Sequence, residues 1–419
     1  MSRQPLSRQS LSRQSASSPR SQDLTVAMPA YNAASTVAAA LRSVCDTHDG
    51  PILLVDDRSA DDTVARARAV AGARLQVVTA PGPRGVARAR ALALAAIDTP
   101  YGLWLDADDL MAPGRPQAVR AALDAGADLV YDAVTLIDTA GRVERDLPMP
   151  AFLHGPGRLW RQVERNWLNG LFCGFRTDIA RRVGYDPELS TGEDYRFCLD
   201  ALMAGARIAL LDRVGVFYRH GAATLSRNLA VAQANMRRVH RALDWAAAEA
   251  GMARAGLPAV EIAYTRAAQA VHRGDAAAAL AAAEVLLDGA ETIAPYGHSA
   301  DWMGRFLGGA ALLALDRPGE AAAWLRAAVE GRPQAGDGAD LHNNLGVAAA
   351  RTGDRAAAQR AFAAAAERRP GYVDAAHNAR LLAQAGGPVA ADAWAVTRLP
   401  LRNVANRDRY DAAEAARRS

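Results

Sequence analysis

The sequence predicts an α/β domain built on a parallel sheet, followed by an all-helical array, and three observations carry that prediction. From Leu24 short apolar runs alternate with alanine-rich stretches at helical spacing. Acidic residues cluster where the apolar runs stop. In the C-terminal third the β-branched runs vanish and a frame of small residues recurs. Strand alternating with helix implies a sheet covered on both faces, with ligands beyond the carboxyl ends of its strands.

The first 22 residues repeat SRQ three times and hold Arg3, Arg8, Arg13 and Arg20 with no acid. They lack an apolar core segment, so a secretory signal is not expected, and a disordered basic tail is. The whole chain has 49 basic and 45 acidic residues, so this tail accounts for the formal charge of +4. The remainder is neutral, which argues against a nucleic-acid partner. All the basic residues are arginine. That excludes a phosphate loop with its lysine, a pyridoxal Schiff base and a lysine nucleophile. Three widely spaced cysteines suit a reducing compartment and neither a disulfide frame nor a zinc site. No run of 18 apolar residues appears, so no transmembrane segment is expected.

LTVAM (24–28), ILLV (52–55), LQVV (75–78) and YGLWL (101–105) read as strands, with helices over STVAAALRSV, DDTVARARAVA and GVARARALALAA between them. Their ends deliver Pro29, Tyr31 and Asn32, then Asp56 and Asp57, then Asp106 to Asp109. Strand-like runs (DLVYDAV, RIALL, VGVFYR) and helices near 177–183 and 194–203 follow. One polar, alanine-rich helix is expected over about 227–250.

LHNNLGVAAARTGDRAAAQRAFAAAAERRP fits the tetratricopeptide pattern, with Leu345-Gly346, Ala358, Phe362, Ala365 and Pro370 at its offsets. Gly309, Ala321, Leu325, Ala328 and Pro333 repeat that frame upstream, and 260–291 keeps a weaker copy. The resulting organisation is a tail (1–22), an α/β domain (23–227), a linker helix (228–257), repeats (258–386) and a C-terminal tail (387–419). Helical repeats of this kind suit a protein partner or a protein acceptor.

Alternate carboxylates closing an apolar strand, as in LDADD, present hard oxygens suited to Mg²⁺ or Mn²⁺. Asp109 has a second reading, as the cap of a helix starting after Pro113. Ser59, Asp61 and Asp62 read as caps of the next helix, whereas Asp56 and Asp57 stand at the strand end itself. Tyr31 is either a stacking surface for a base or ordinary packing. Trp160, Arg161, Trp167 and Phe172 line an acceptor side or fill a core. In TGED (191–194) a glycine turn places Glu193 and Asp194 at a helix start. There a carboxylate can deprotonate an attacking hydroxyl, or merely offset the helix dipole.

MPAYN (28–32), VDDRSADDT (55–63), GVARARALALA (85–95), LDADD (105–109), TGEDYRFCLDALMAG (191–205) and YRHGAATLS (218–226) occur in an order that resembles the family-two glycosyltransferases of GT-A fold. The resemblance covers Leu24 to about Arg227. It implies an inverting, metal-dependent transfer of a sugar from a nucleoside-diphosphate donor, expected to be UDP-linked, to an acceptor hydroxyl. It further implies a place in bacterial cell-surface or secreted glycan synthesis, with a glycan, lipid-linked or protein acceptor. By the same resemblance Pro29, Tyr31, Asp56 and Asp57 hold the nucleobase, and Arg90 the uridine part. Asp106 reaches ribose or metal, Asp108 ligates Mn²⁺ or Mg²⁺, and Arg219 and His220 approach the diphosphate or the metal. Asp194 is the implied base, with Glu193 as its neighbour. Ala91 and Ala93 stand where the family usually has Asn and Gly. The expected location is the cytoplasm, with peripheral attachment at the inner face of the membrane as a variant. The competing readings are a nucleotidyltransferase and a partner-binding scaffold with an inactive transferase domain.

Overall fold

The computed structural model describes residues 22–168, 173–219, 229–331 and 338–398. The backbone divides into two compact units: 1–149, 171–193 and 206–221 form the first, and 150–170, 194–205 and 222–419 the second.

The first unit opens with the expected alternation: β1 (Leu24–Ala30), α1 (Val37–Cys45), β2 (Ile52–Asp56), α2 (Thr63–Ala71), β3 (Leu75–Thr79), α3 (Val86–Ala96) and β4 (Tyr101–Trp104). Then come β5 (Leu110–Met111), α4 (Arg115–Asp124), β6 (Leu129–Ile137), β7 (Val143–Leu147), β8 (Cys173–Arg176) and α5 (Thr177–Val183). The helix α6 (Glu193–Met203) starts in this unit and continues in the second, and β9 (Ile208–Arg219) closes the sheet.

The sheet order is β3-β2-β1-β4-β8-β6-β9-β5, with β7 added beside β6. The first four strands in this row, β3, β2, β1 and β4, are parallel, and β8 runs against both β4 and β6. β1, β2 and β4 are buried along their whole length, which is why they read as continuous apolar runs without alternation. RIALL and VGVFYR, which read as two strands, form the single strand β9, whose register against β6 shifts between Asp132 and Val134. At Gly174 a Cβ would collide with Val119, so α4 lies on β8 only because that strand has no side chain there.

A buried ion pair joins α4 to the sheet. Arg115 donates from Nε to Asp132 Oδ2 (2.5 Å) and from Nη1 to the Trp104 carbonyl (2.9 Å), and both charged side chains are fully buried. Gly215 leaves the space that the Asp132 carboxylate fills.

The second unit is helical: α7 (Leu229–Arg241), α8 (Trp245–Arg254), α9 (Ala259–Arg273), α10 (Ala276–Glu284), a ribbon of β10 (Thr292–Ile293) with β11 (His298–Ser299), then α11 (Ala300–Ala314), α12 (Pro318–Glu330), α13 (Ala339–Arg351), α14 (Arg355–Arg368) and α15 (Val373–Gln384). The single helix expected over 227–250 is two, because Asp244 accepts the Ala247 N–H and starts a new helix. Asp275 and Asp354 cap α10 and α14 in the same way. A Cβ at Gly309 or Gly346 would collide with Leu325 or Phe362, so these glycines set the close approach of α11 to α12 and of α13 to α14. Arg161 is fully buried and bonded to Glu164 and Glu261, Trp160 lies over Gly251, and Trp167 meets Phe152 edge-on. These three residues therefore serve the core of this unit, and Phe172 lies outside the described residues. Among the described residues no helix is long and apolar enough to cross a membrane.

Breaking a buried pair by removing one partner strands a charge, at a cost of about 3–5 kcal/mol. Asp132→Ala is therefore expected to lower the urea midpoint markedly, and the double replacement Arg115→Met with Asp132→Leu to recover most of the loss. A double variant no more stable than Asp132→Ala would contradict this.

Candidate active site at the carboxyl edge of the sheet

Three loops leave the carboxyl ends of β1, β2 and β4, and the first two are tied together by side chains. Asn32 donates its N–H to Ser59 Oγ (2.9 Å), and its Oδ1 accepts the Ala60 N–H (2.9 Å). The Ala34 N–H reaches Asp61 Oδ2 (3.0 Å) and the Ala33 N–H reaches Thr63 Oγ1 (2.7 Å). The sequence reading made Ser59, Asp61 and Asp62 helix caps. Ser59 instead bridges two loops; Asp61 does so too, while its Oδ1 accepts the Thr63 N–H at the start of α2 (3.1 Å) in keeping with the cap reading, and Asp62 has no side-chain cap bond there. The outcome is a rigid platform carrying Tyr31, which is 45 % exposed. One face of its ring lies under the Arg84 guanidinium, 4.5 Å from the centroid, and Arg84 also donates to its hydroxyl. Sequence reading missed Arg84, because no motif marks an arginine in a Pro-Gly turn.

Pro29 lies buried inside β1, paired with Val55. Asp56 and Asp57 are both buried at the end of β2. Asp56 Oδ1 accepts the Ser59 N–H (3.1 Å), and Asp57 Oδ2 accepts the Gly85 N–H ahead of α3 (2.8 Å). Asp57 Oδ1 is buried with no hydrogen-bond partner. Burial pushes this carboxyl upward, against the Gly85 bond that favours its ionised form.

Arg90, one turn into α3, is 1 % exposed. Its Nη2 donates to Asp106 Oδ1 (2.8 Å), its Nε lies 3.4 Å from Glu193 Oε1, and its guanidinium stands 5.1 Å from the centre of the Trp104 ring. One cation thus brings the first acid of LDADD beside the first residue of α6. Asp194 follows as the second residue of that helix, half-buried, in the second unit.

Oxygens of Asp106, Asp108 and Asp109 lie within 4.8 Å of one another. The Asp108 tip reaches solvent, yet protein crowds its surroundings, and its carboxyl is raised to about 6 by burial and then by the Asp106 charge. Asp109 is fully buried and held well above the carboxylate range, by burial and then by its two acidic neighbours. The sequence reading had Asp109 capping α4. That helix does start after Pro113, but with Gly114 as its cap residue and no side-chain cap bond, and Asp109 Oδ1 accepts the Arg219 N–H (2.7 Å). Its Oδ2 is buried without a hydrogen-bond partner. Three converging carboxylates, one with an orphaned oxygen, suit a hard divalent cation that takes oxygen ligands. The Arg219 side chain donates to the carbonyls of Asp108 (2.9 Å), Asp138 (3.1 Å) and Thr139 (2.9 Å). It therefore clamps the loop after β4 against the loop between β6 and β7. His220 lies outside the described residues.

Residues 25–184 match the family model described as Glycosyl transferase family 2. Among curated proteins, the succinoglycan biosynthesis protein ExoU of Rhizobium meliloti (strain 1021) is 32 % identical over 209 residues, which is 46 % of this chain and 60 % of that protein. ExoO of the same organism, also a succinoglycan biosynthesis protein, is 29 % identical over 234 residues, 49 % of this chain and 63 % of its own length. The chain thus spans under two thirds of the curated relatives that it matches. Among solved structures, S. aureus TarS in complex with UDP-GlcNAc is 17 % identical with a TM-score of 0.45, covering 83 % of this chain and 92 % of that one. Residues 25–184 are thus similar to glycosyltransferase family 2, on a Rossmann-like mixed sheet, and a helical region follows them.

Carboxylates must lose their protons to hold a metal. With Asp108 raised to about 6 in the absence of a cation, its proton competes with metal below that pH and not above it. Apparent Mn²⁺ affinity, measured calorimetrically, is expected to climb about tenfold per pH unit up to pH 6 and to level off beyond. Asp108→Asn should weaken binding and remove the step; a flat profile for the unaltered chain would remove Asp108 from the ligand set.

Proposed function

We propose that the chain is a metal-dependent inverting glycosyltransferase that moves a sugar from a nucleoside-diphosphate donor, UDP-linked by resemblance, to an acceptor hydroxyl. The observation that carries the reading is the gathering of Asp106, Asp108 and Asp109 beside the Arg90–Glu193 pair, beyond the carboxyl ends of parallel strands. Ligands in open α/β sheets bind at that edge. The family-2 match over residues 25–184 supports the reaction class, and the printed role of ExoU and ExoO in succinoglycan biosynthesis supports a polysaccharide pathway.

In this mechanism the Tyr31 platform and the buried pair Asp56 and Asp57 receive the nucleobase, the base lying on the exposed part of the ring. A cation held by Asp106 and Asp108, with Asp109 beside them, would offset the negative charge of the departing diphosphate. Arg90 orients Asp106 through its hydrogen bond, and it holds Glu193 at the first turn of α6. By the sequence resemblance alone, Asp194, the residue after Glu193, takes the proton of the acceptor hydroxyl as it attacks the anomeric carbon from the face opposite the diphosphate. Arg219 positions the acidic loop through its carbonyls; His220 is assigned to the diphosphate or metal by the sequence resemblance alone. The helical region reads as tetratricopeptide-like, supported by the glycines at 309 and 346 under Leu325 and Phe362. The reading places the enzyme in the cytoplasm.

Released nucleotide, monitored across a panel of nucleotide sugars with Mn²⁺ or Mg²⁺, is expected to identify one donor and to vanish with a chelator. Asp194→Asn should lower transfer about 10²- to 10⁴-fold while nucleotide binding persists, since a positioned base contributes on that order. Undiminished turnover in that variant would remove Asp194 as the base.

A further inference from the structure

A helix buried through apolar contacts alone keeps some freedom to rotate about its axis, because the hydrophobic effect has no direction. Hydrogen bonds do have one. Within the second unit, side-chain hydrogen bonds hold the first turn of α6. Tyr195, the third residue of α6, is fully buried, and its hydroxyl donates to the Gln162 carbonyl (2.6 Å). The same oxygen lies 3.0 Å from Nε2 of His240 on α7. A phenol has one proton, and here it goes to the carbonyl, so His240 Nε2 is the donor of the second bond. His240 Nδ1 is then a bare lone pair, buried with no hydrogen-bond partner, a cost that an apolar residue in its place would not incur. Burial, and then His272 and Arg273, push this imidazole down to about 3, so it is neutral at ordinary working pH.

Both partners of Tyr195 are fixed in turn. Gln162 is fully buried, and its Oε1 accepts the N–H groups of Trp167 (2.5 Å) and Leu168 (3.1 Å). Its Nε2 reaches Asn166 Oδ1 (3.3 Å) and Cys198 Sγ (3.7 Å), and Cys198 shares the face of α6 that carries Tyr195. His240 sits in the last turn of α7, where its carbonyl accepts from Nε2 of Gln269 on α9 (3.1 Å). One face of α6 is therefore locked on a single buried glutamine and, through His240, on two helices of the array.

We infer that Tyr195, backed by Gln162 and His240, is a positioning residue for Asp194 and sets the direction in which that carboxylate leaves α6. The inference rests on the reading of Asp194, the residue just before it, as the base of the transfer. Gln162 and His240 act only through Tyr195. Reacting groups misplaced by about 1 Å lose on the order of 10²-fold in rate, so the rotation of this helix turn matters to the chemistry. A rival account makes the three residues a seal for the core. That account needs the ring of Tyr195 and has no use for its hydroxyl.

Tyr195→Phe removes one oxygen and leaves the ring. In the full chain, with Mn²⁺ and the donor that the nucleotide-sugar panel identifies, it is expected to lower kcat about 10- to 100-fold. Nucleotide affinity, measured calorimetrically, should stay within about twofold. The double variant decides between the two accounts. If Tyr195 acts through Asp194, adding Tyr195→Phe to Asp194→Asn lowers the residual rate by less than about twofold, since residues that act as a unit are not additive. Full additivity, or an unaltered kcat in Tyr195→Phe alone, overturns the inference. Undiminished turnover in Asp194→Asn sinks the base reading itself, and this inference with it, before the double variant is made. His240 supplies a second pair should Tyr195→Phe not fold, as judged by its urea midpoint. His240→Gln keeps an N–H donor and should retain most of kcat, whereas His240→Leu should lose about as much as Tyr195→Phe. Equal rates in the two His240 variants would also overturn the inference.

Discussion

A guanidinium with 1 % of its surface exposed must find carboxylates, and Arg90 finds two on different elements. An uncompensated charge at that depth would cost several kcal/mol, so its pairing constrains everything it touches. Through Asp106 it fixes the loop after β4, and through Glu193 it fixes where α6 begins. Its stacking distance to Trp104 ties both to the sheet. The acids that follow, Asp108 and Asp109, stand close to Asp106 where Arg219, and for Asp108 also Arg90, offsets part of their field. Both carboxyls nonetheless stay raised, by burial first and by their acidic neighbours second.

Legibility of the fold followed burial. β1, β2 and β4 are covered on both faces, so apolar runs and the helices between them marked these strands along the chain, though not their side-by-side order in the sheet. RIALL and VGVFYR looked like two strands because Asp212 and Arg213 interrupt them; the register shift against β6 absorbs that interruption within one strand. The helix over 227–250 looked continuous because its composition is uniform, and a single aspartate, Asp244, was enough to restart it.

The site was legible in its residue types and less so in their duties. A Ser or Asp after a strand satisfies a helix terminus or a neighbouring loop with the same atoms, and local sequence does not distinguish the two. Ser59, Asp61 and Asp109 all looked like caps, and all three bond to segments from 27 to 110 residues away. Long-range partners of this kind leave no periodicity to detect. The same limit hid the duty of two asparagines: LHNNLG matched a helical repeat through Leu345 and Gly346, while the backbone that the buried Asn343 and Asn344 hold lies more than fifty residues further on.

The absence of lysine from the sequence connects these observations. Each buried arginine among the described residues serves several partners at once: Arg90 two acids, Arg115 an acid and a carbonyl, Arg161 two glutamates and the Ala294 carbonyl. An ammonium, a compact point charge without a planar fork, would not span such separated acceptors. It could also lose its proton on burial, whereas a guanidinium keeps its charge at any pH the fold survives. The basic half of each buried pair is therefore invariant with pH. Variation in the charge of the acidic edge rests on its carboxylates alone, so protonation there would loosen the proposed cation site without disturbing the Arg90 and Arg115 scaffolding from its basic side.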